Sequence, residues 1–177
     1  MRTLVAASLV ALFASPAMAM DLTSPDLQDG QSFPQKFICT DQGGQNVSPA
    51  LAWSAAPAGA KSFAVTMHDP DAPMTGGFWH WLVVDIPATA TGLDQNAGAQ
   101  GGALPSGSTP VPNGAKQAAY LGPCPPAGAP HHYEITVWAL PTDKADVTTQ
   151  MSPGDVGAWL DKNAIDKARI VPVYGHS

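Results

Sequence analysis

A single, mostly β domain is the fold this sequence predicts, and three observations predict it. Gly (17) and Pro (18) account for 35 of the 177 residues, which favours short elements joined by many turns over long helices. Two segments alternate with period 2: Phe63, Val65 and Met67 against Ala64, Thr66 and His68, and Ile135, Val137 and Ala139 against Glu134, Thr136 and Trp138. Only one stretch, near the C-terminus, carries a helix signature.

Taken in chain order, residues 1–19 read as an export leader. Arg2 supplies the positive start, Leu4 to Phe13 the apolar run, and Ala17-Met18-Ala19 a small-x-small cleavage site. That run, about 10 residues, is half of the ~20 needed to cross a bilayer, so no membrane span is expected. Residues 20–177 then form one domain, long enough to bury its own core, and a periplasmic or secreted location is expected. Arg2 is the only charged residue in the leader, so its loss takes the formal charge from −6 to −7 and disfavours nucleic acid as a partner.

The run Trp81 to Ile86 is nearly all apolar, as in a central strand covered on both faces, and it ends at Pro87, which has no N–H for a ladder. Residues 88–119 hold few large apolar side chains and read as a long covering loop. A helix starts at Ser152 as N-cap, with Pro153 in first position, Asp155 in the first turn, and Val156, Trp159 and Leu160 along one face. Ile170 to Tyr174 reads as a closing edge strand that tolerates Pro172. The two cysteines, Cys39 and Cys124, meet an oxidising compartment if exported. A disulfide between them, two buried inert thiols, and a thiol at a pocket rim all remain open.

Chemistry gathers in two segments: Asp69-Pro70-Asp71-Ala72-Pro73 leading to His80, and Gly122-Pro123-Cys124-Pro125-Pro126 leading to His131-His132-Tyr133. Prolines rigidify the turns around two carboxylates, imidazoles and a phenol, which describes a preorganised ligand pocket. On a regular strand His80 points opposite to both Trp79 and Trp81. By the same alternation His131 and Tyr133 share one face and His132 takes the other. His80, held in a fixed tautomer or kept protonated by neighbouring acids, would donate to an anionic oxygen, with backbone amides freed at Gly122 assisting. Two His and a carboxylate could also hold a metal, but no short ligand motif supports a metal-dependent hydrolase, so no metal or cofactor is expected. There is no Gly-x-Ser-x-Gly elbow, and no catalytic residue is assigned. Phe78, Trp79 and Trp81 either line an apolar groove or fill the core, the commoner fate of aromatic residues.

The stretches CTDQGGQNVSPALAW from Cys39 to Trp53, DPDAP with GFWHWLVVDIP, and GPCPP with HHY, in this order, closely resemble the phosphatidylethanolamine-binding proteins. The likeness is greatest to their bacterial Raf-kinase-inhibitor-like (YbhB/YbcL-type) branch and spans nearly all of residues 20–177. The resemblance implies a β-sandwich of a large and a small sheet flanked by a few short helices, with an anion pocket at one end. It places Asp69, Asp71, His80, His131 and Tyr133 in that pocket, with Gly122, Pro125 and Pro126 shaping the wall and Tyr120 at its border. It also implies a binding or regulatory module rather than an enzyme, taking a small anion such as phosphate or a phospholipid headgroup. A protein-interaction or inhibitor module acting on a kinase, protease or other partner is the alternative. The oligomeric state, including a homodimer, is left open.

Overall fold

The computed structural model describes residues 19–176, so the leader read over residues 1–19 lies, apart from Ala19, outside them. The strands are β1 (Asp21–Thr23), β2 (Leu51–Ser54), β3 (Ser62–Asp69), β4 (Phe78–Pro87), β5 (Gly92–Leu93), β6 (Thr109–Pro110), β7 (His131–His132) and β8 (Glu134–Leu140). After α1 (Pro153–Asn163) come β9 (Asp166–Ile170) and β10 (Val173–Tyr174). An antiparallel five-stranded sheet runs in the order β6-β4-β3-β8-β9, a three-stranded sheet in the order β1-β2-β5, and β7 pairs with β10. The expected β-sandwich of a large and a small sheet is therefore present. Its peripheral helices are α1 and two 3₁₀ turns at Gln35–Phe37 and Thr40–Gln42.

Two apolar clusters use the two faces of the large sheet. Phe63, Val65, Met67, Ile135 and Val137 meet Leu22, Leu51, Trp53 and Leu93 of the small sheet. On the opposite face Ala64, Leu82, Val84, Trp138 and Leu140 meet Val156 and Leu160 of α1. Burial on both faces is why β4 reads as an unbroken apolar run. The run is not uniform in direction. Phe63 pairs with Ile86 but Val65 with Val83, so β4 carries one extra residue there, and Asp85, with φ of 60°, occupies the bulge. That irregularity returns Ile86 to the small-sheet side with Trp81 and Val83. Asp85 is satisfied in place: its carboxylate accepts from Ala145 N at 2.8 Å and Thr109 Oγ1 at 2.9 Å.

The helix begins as its sequence predicts, with Ser152 Oγ accepting from Asp155 N at 3.2 Å and Pro153 in the first turn. Residues 88–119 do cover the sandwich, but they also contribute β5 to the small sheet and β6 to the large one, and they bury Leu93, Ala97 and Val111. The single closing strand expected over Ile170 to Tyr174 is instead two. Ile170 ends β9, and past Pro172 the chain turns so that Val173 and Tyr174 pair with His132 and His131. The proline breaks the ladder between two different sheets. Cys39 and Cys124 form a disulfide, with sulfurs 1.98 Å apart, beside a hydrogen bond from Cys39 N to Pro123 O of 3.0 Å.

Candidate functional site

The site lies where β3 ends, β4 begins and β7 runs alongside. Asp69 closes β3 and is only 3 % exposed. Its Oδ1 accepts from Asp71 N at 2.9 Å, turning the chain back on itself, and its Oδ2 accepts from His131 Nδ1 at 2.7 Å. The returning turn passes so close that a Cβ at Gly77, where φ is +69°, would stand 2.3 Å from Asp69 O. Glycine is what lets residues 72–74 lie over the end of the strand.

His80 arrives by a second irregularity. Met67 pairs with Trp81 but His68 with Trp79, which leaves His80 as the extra residue of a bulge in β4. The two tryptophans consequently take opposite faces: Trp81 joins the cluster between the sheets, and Trp79 the cluster under α1. The regular-strand expectation, with His80 opposed to both, is thus corrected. His80 sits with Trp81's side of the sheet, its ring edge-on to Tyr133 at 5.3 Å and to Phe78 at 4.7 Å. A bulge next to a site commonly re-aims a side chain in this way.

His80 Nδ1 bonds the Leu121 carbonyl at 2.9 Å, so it must donate, and Nε2 is left 4.0 Å from Asp69 Oδ2. Burial pushes the His80 pKa down to about 4, against the opposing pull of the Leu121 carbonyl and the Asp69 charge. The imidazole is therefore neutral at pH 7, and Nε2 is an acceptor. Of the two expected states, a fixed tautomer and a protonated donor, His80 takes the first: desolvation outweighs the acid beside it.

A cavity of about 190 Å³ opens above these groups, smaller than the ~300–1,000 Å³ of a drug-sized site. Asp69, His80 and His131 supply its polar floor. Its walls are apolar: Ala72, Pro73, Met74 and Phe78 from the β3–β4 connection, and Leu121, Cys124, Pro125 and Pro126 opposite. A wider groove of about 760 Å³ along the small sheet has Asp94 as its only ionisable lining residue.

Four residues expected at the pocket are not in its lining. Asp71 turns outward, where its carboxylate accepts from His132 N at 2.8 Å and His132 Nδ1 at 2.7 Å; the backbone bond, then the side-chain bond, lowers its pKa. Tyr120 is buried against Trp81 and donates to Phe37 O at 2.8 Å, and burial holds its phenol well above the ordinary range. The Gly122 amide is not free but donates to Asn46 Oδ1 at 2.7 Å; a Cβ there would lie 2.3 Å from Phe37 O, so this glycine supports the wall from behind. Tyr133 stands behind His80, fully buried, and its hydroxyl has no partner among the described residues. Burial first, then the Asp69 charge, keeps that phenol protonated.

Met74, Ala72 and Leu121 were missed by sequence reasoning. Small and apolar residues carry no chemical signature, and the Leu121 contribution is a carbonyl that only the β4 bulge brings within reach.

The phosphatidylethanolamine-binding protein family model matches residues 23–175. Escherichia coli YbcL is 43 % identical over 98 % of this chain and 98 % of its own, and E. coli YbhB 39 % identical over 88 % and 99 %. A Mycobacterium tuberculosis protein described as the putative lipoprotein LppC is 39 % identical over 91 % of this chain and 75 % of its own. The crystal structure of E. coli YbcL superposes with a TM-score of 0.86 over 90 % of this chain and all of that one. With its sandwich, its motifs and these matches agreeing, this chain belongs to the phosphatidylethanolamine-binding protein family.

Proposed function

We propose that this is an exported, non-enzymatic binding protein whose cavity takes a small phosphate-bearing ligand, a phospholipid headgroup such as phosphoethanolamine. The observation that carries the reading is the cavity floor: Asp69, His80 and His131 meet inside an apolar collar too small for anything but a headgroup-sized group. Two acceptors 4.0 Å apart, Asp69 Oδ2 and His80 Nε2, suit an ammonium or a P–OH donor. His131, its Nδ1 engaged by Asp69, has Nε2 left for the ligand, and the Tyr133 hydroxyl is a spare donor behind His80. The ligand class therefore carries both donor and acceptor ends.

We assign the cavity no catalytic role. The lining holds no serine, and its one cysteine, Cys124, is engaged in the disulfide. Likewise, among the described residues no group of three His, Cys, Asp or Glu stands together as a metal site, and no helix is long and apolar enough to cross a membrane. The leader-like residues 1–19 and the relative described as a lipoprotein support export.

An entering phosphate meets His80 Nε2 through one shared proton, as P–OH or as imidazolium, so binding takes up a proton and tightens as pH falls from 7 toward 5. An amide NMR titration of residues 20–177 with phosphoethanolamine tests this. Saturable shifts around Asp69, His80, Leu121 and His131, tighter at pH 5.5 than at 7.5, are expected. Silence, or a response to zinc alone, overturns the reading.

A further inference from the structure

Far from the cavity, the start of the domain makes a contact that ligand binding does not use. Met20 is buried in the cluster between the sheets, 6 % exposed, while Ala19 just before it is exposed. The Met20 backbone nitrogen donates to Asp166 Oδ2 at 3.0 Å. Asp166 opens β9, the outer strand of the large sheet; its other oxygen accepts from Lys167 N at 2.8 Å. The Lys167 ammonium is turned away to Asp161, and among the described residues Asp166 makes no ion pair with any side chain. Because β1 pairs with β2 and also packs against β9, this hydrogen bond lies on the seam between the rims of the two sheets.

We propose that processing between Ala19 and Met20 turns this hydrogen bond into a structural ion pair, with the new α-ammonium of Met20 seated on the Asp166 carboxylate. The inference rests on the export reading above. A leader-processing protease adds water across the Ala19–Met20 peptide bond, leaving the carboxylate on the departing leader and the amine, protonated at neutral pH, on the mature chain. Before cleavage the nitrogen is a neutral amide with one N–H. Afterwards it is a cation with three, at a position where a carboxylate already waits and where the Met20 side chain is anchored in the core. Removal of the leader then strengthens the seam between the sheets rather than merely trimming it.

The test begins with the full chain secreted by a bacterial host and weighed intact, where a first residue of Met20 is expected. The chain from Met20 is next compared with one that retains Ala19, each with Asp166 and with Asp166→Asn. Retaining Ala19 returns the Met20 nitrogen to an amide N–H and moves the ammonium one residue outward to exposed Ala19, so the melting midpoint should fall by about 2–4 °C. That difference should vanish in the Asp166→Asn pair. The Met20 α-amine should also titrate above the ~8 of a free terminus. Equal midpoints for the two termini with Asp166 present overturn the proposal. Processing at another bond, or secretion without processing, overturns it while sparing the export reading, and an unprocessed chain retained inside the host overturns both.

Discussion

Two acid–imidazole pairs stand side by side in this protein, Asp69 with His131 and Asp71 with His132, each closed at 2.7 Å. They are two residues apart on one segment and neighbours on the other, yet their surroundings are opposite. The side chains of the first pair are 4 % and 11 % exposed, those of the second 43 % and 58 %. In the first, a buried carboxylate orients an imidazole at the floor of a cavity. In the second, the same chemistry in water fastens the β3–β4 turn to β7. Distance alone therefore does not identify a site; desolvation does, because it raises the cost of leaving either partner unmatched.

Removing one acid from each pair sharpens the contrast. Asp69→Ala leaves the buried His131 imidazole without its acceptor and removes the carboxylate that accepts from Asp71 N in the turn. We expect it to lower the stability by about 3 kcal/mol or more in urea unfolding, and to abolish the phosphoethanolamine response in titration. A variant that stays stable and still binds would make the buried pair no different from the exposed one.

The next effect is a pH dependence that belongs to the buried side of the comparison. His80 takes a proton near 6.5 in the unfolded chain but only near 4 in the folded protein. Between those values the unfolded state binds more protons, so the stability present above pH 6.5 is lost as pH falls toward 4. The loss reaches about 3 kcal/mol. Urea midpoints measured from pH 7 to pH 4.5 should show this slope, and His80→Gln should flatten it.

Asp71→Ala is expected to do least. A water-exposed pair contributes below about 1 kcal/mol, and the variant should bind phosphoethanolamine within about twofold of the parent, because Asp71 is not in the cavity wall. A large loss of affinity by calorimetry would mean that the turn, and not only the floor, sets the site.

How much of this was legible beforehand differs between the same two regions. Strand periodicity placed β3 and β8, the Ser152-Pro153 cap placed α1, and the motif resemblance supplied the sandwich and gathered Asp69, His80 and His131. The division between His131 and His132 followed from alternation, since that short stretch is regular. What alternation could not supply was β4, where bulges at His80 and Asp85 shift the register twice. Each bulged residue is held by a partner from outside the ladder, Leu121 for His80 and Ala145 for Asp85, and those partners are 41 and 60 residues away in sequence. The outward turn of Asp71 and the structural use of the Gly122 amide were illegible for the same reason: each depends on a partner from a distant segment, His132 or Asn46.

The cystine between Cys39 and Cys124 closes a covalent ring through 85 positions of chain, and the ring contains β2 to β6, with Asp69 and His80 inside it and Cys124 in the cavity wall. A protease that cuts once between residues 40 and 123, for example at the exposed turns near Gly101 or Gly107, would produce two fragments that cannot part. Outside a cell, where proteolytic nicking is routine and no chaperone reassembles the pieces, such a molecule would keep its halves in register and would betray the cut only on a reducing gel.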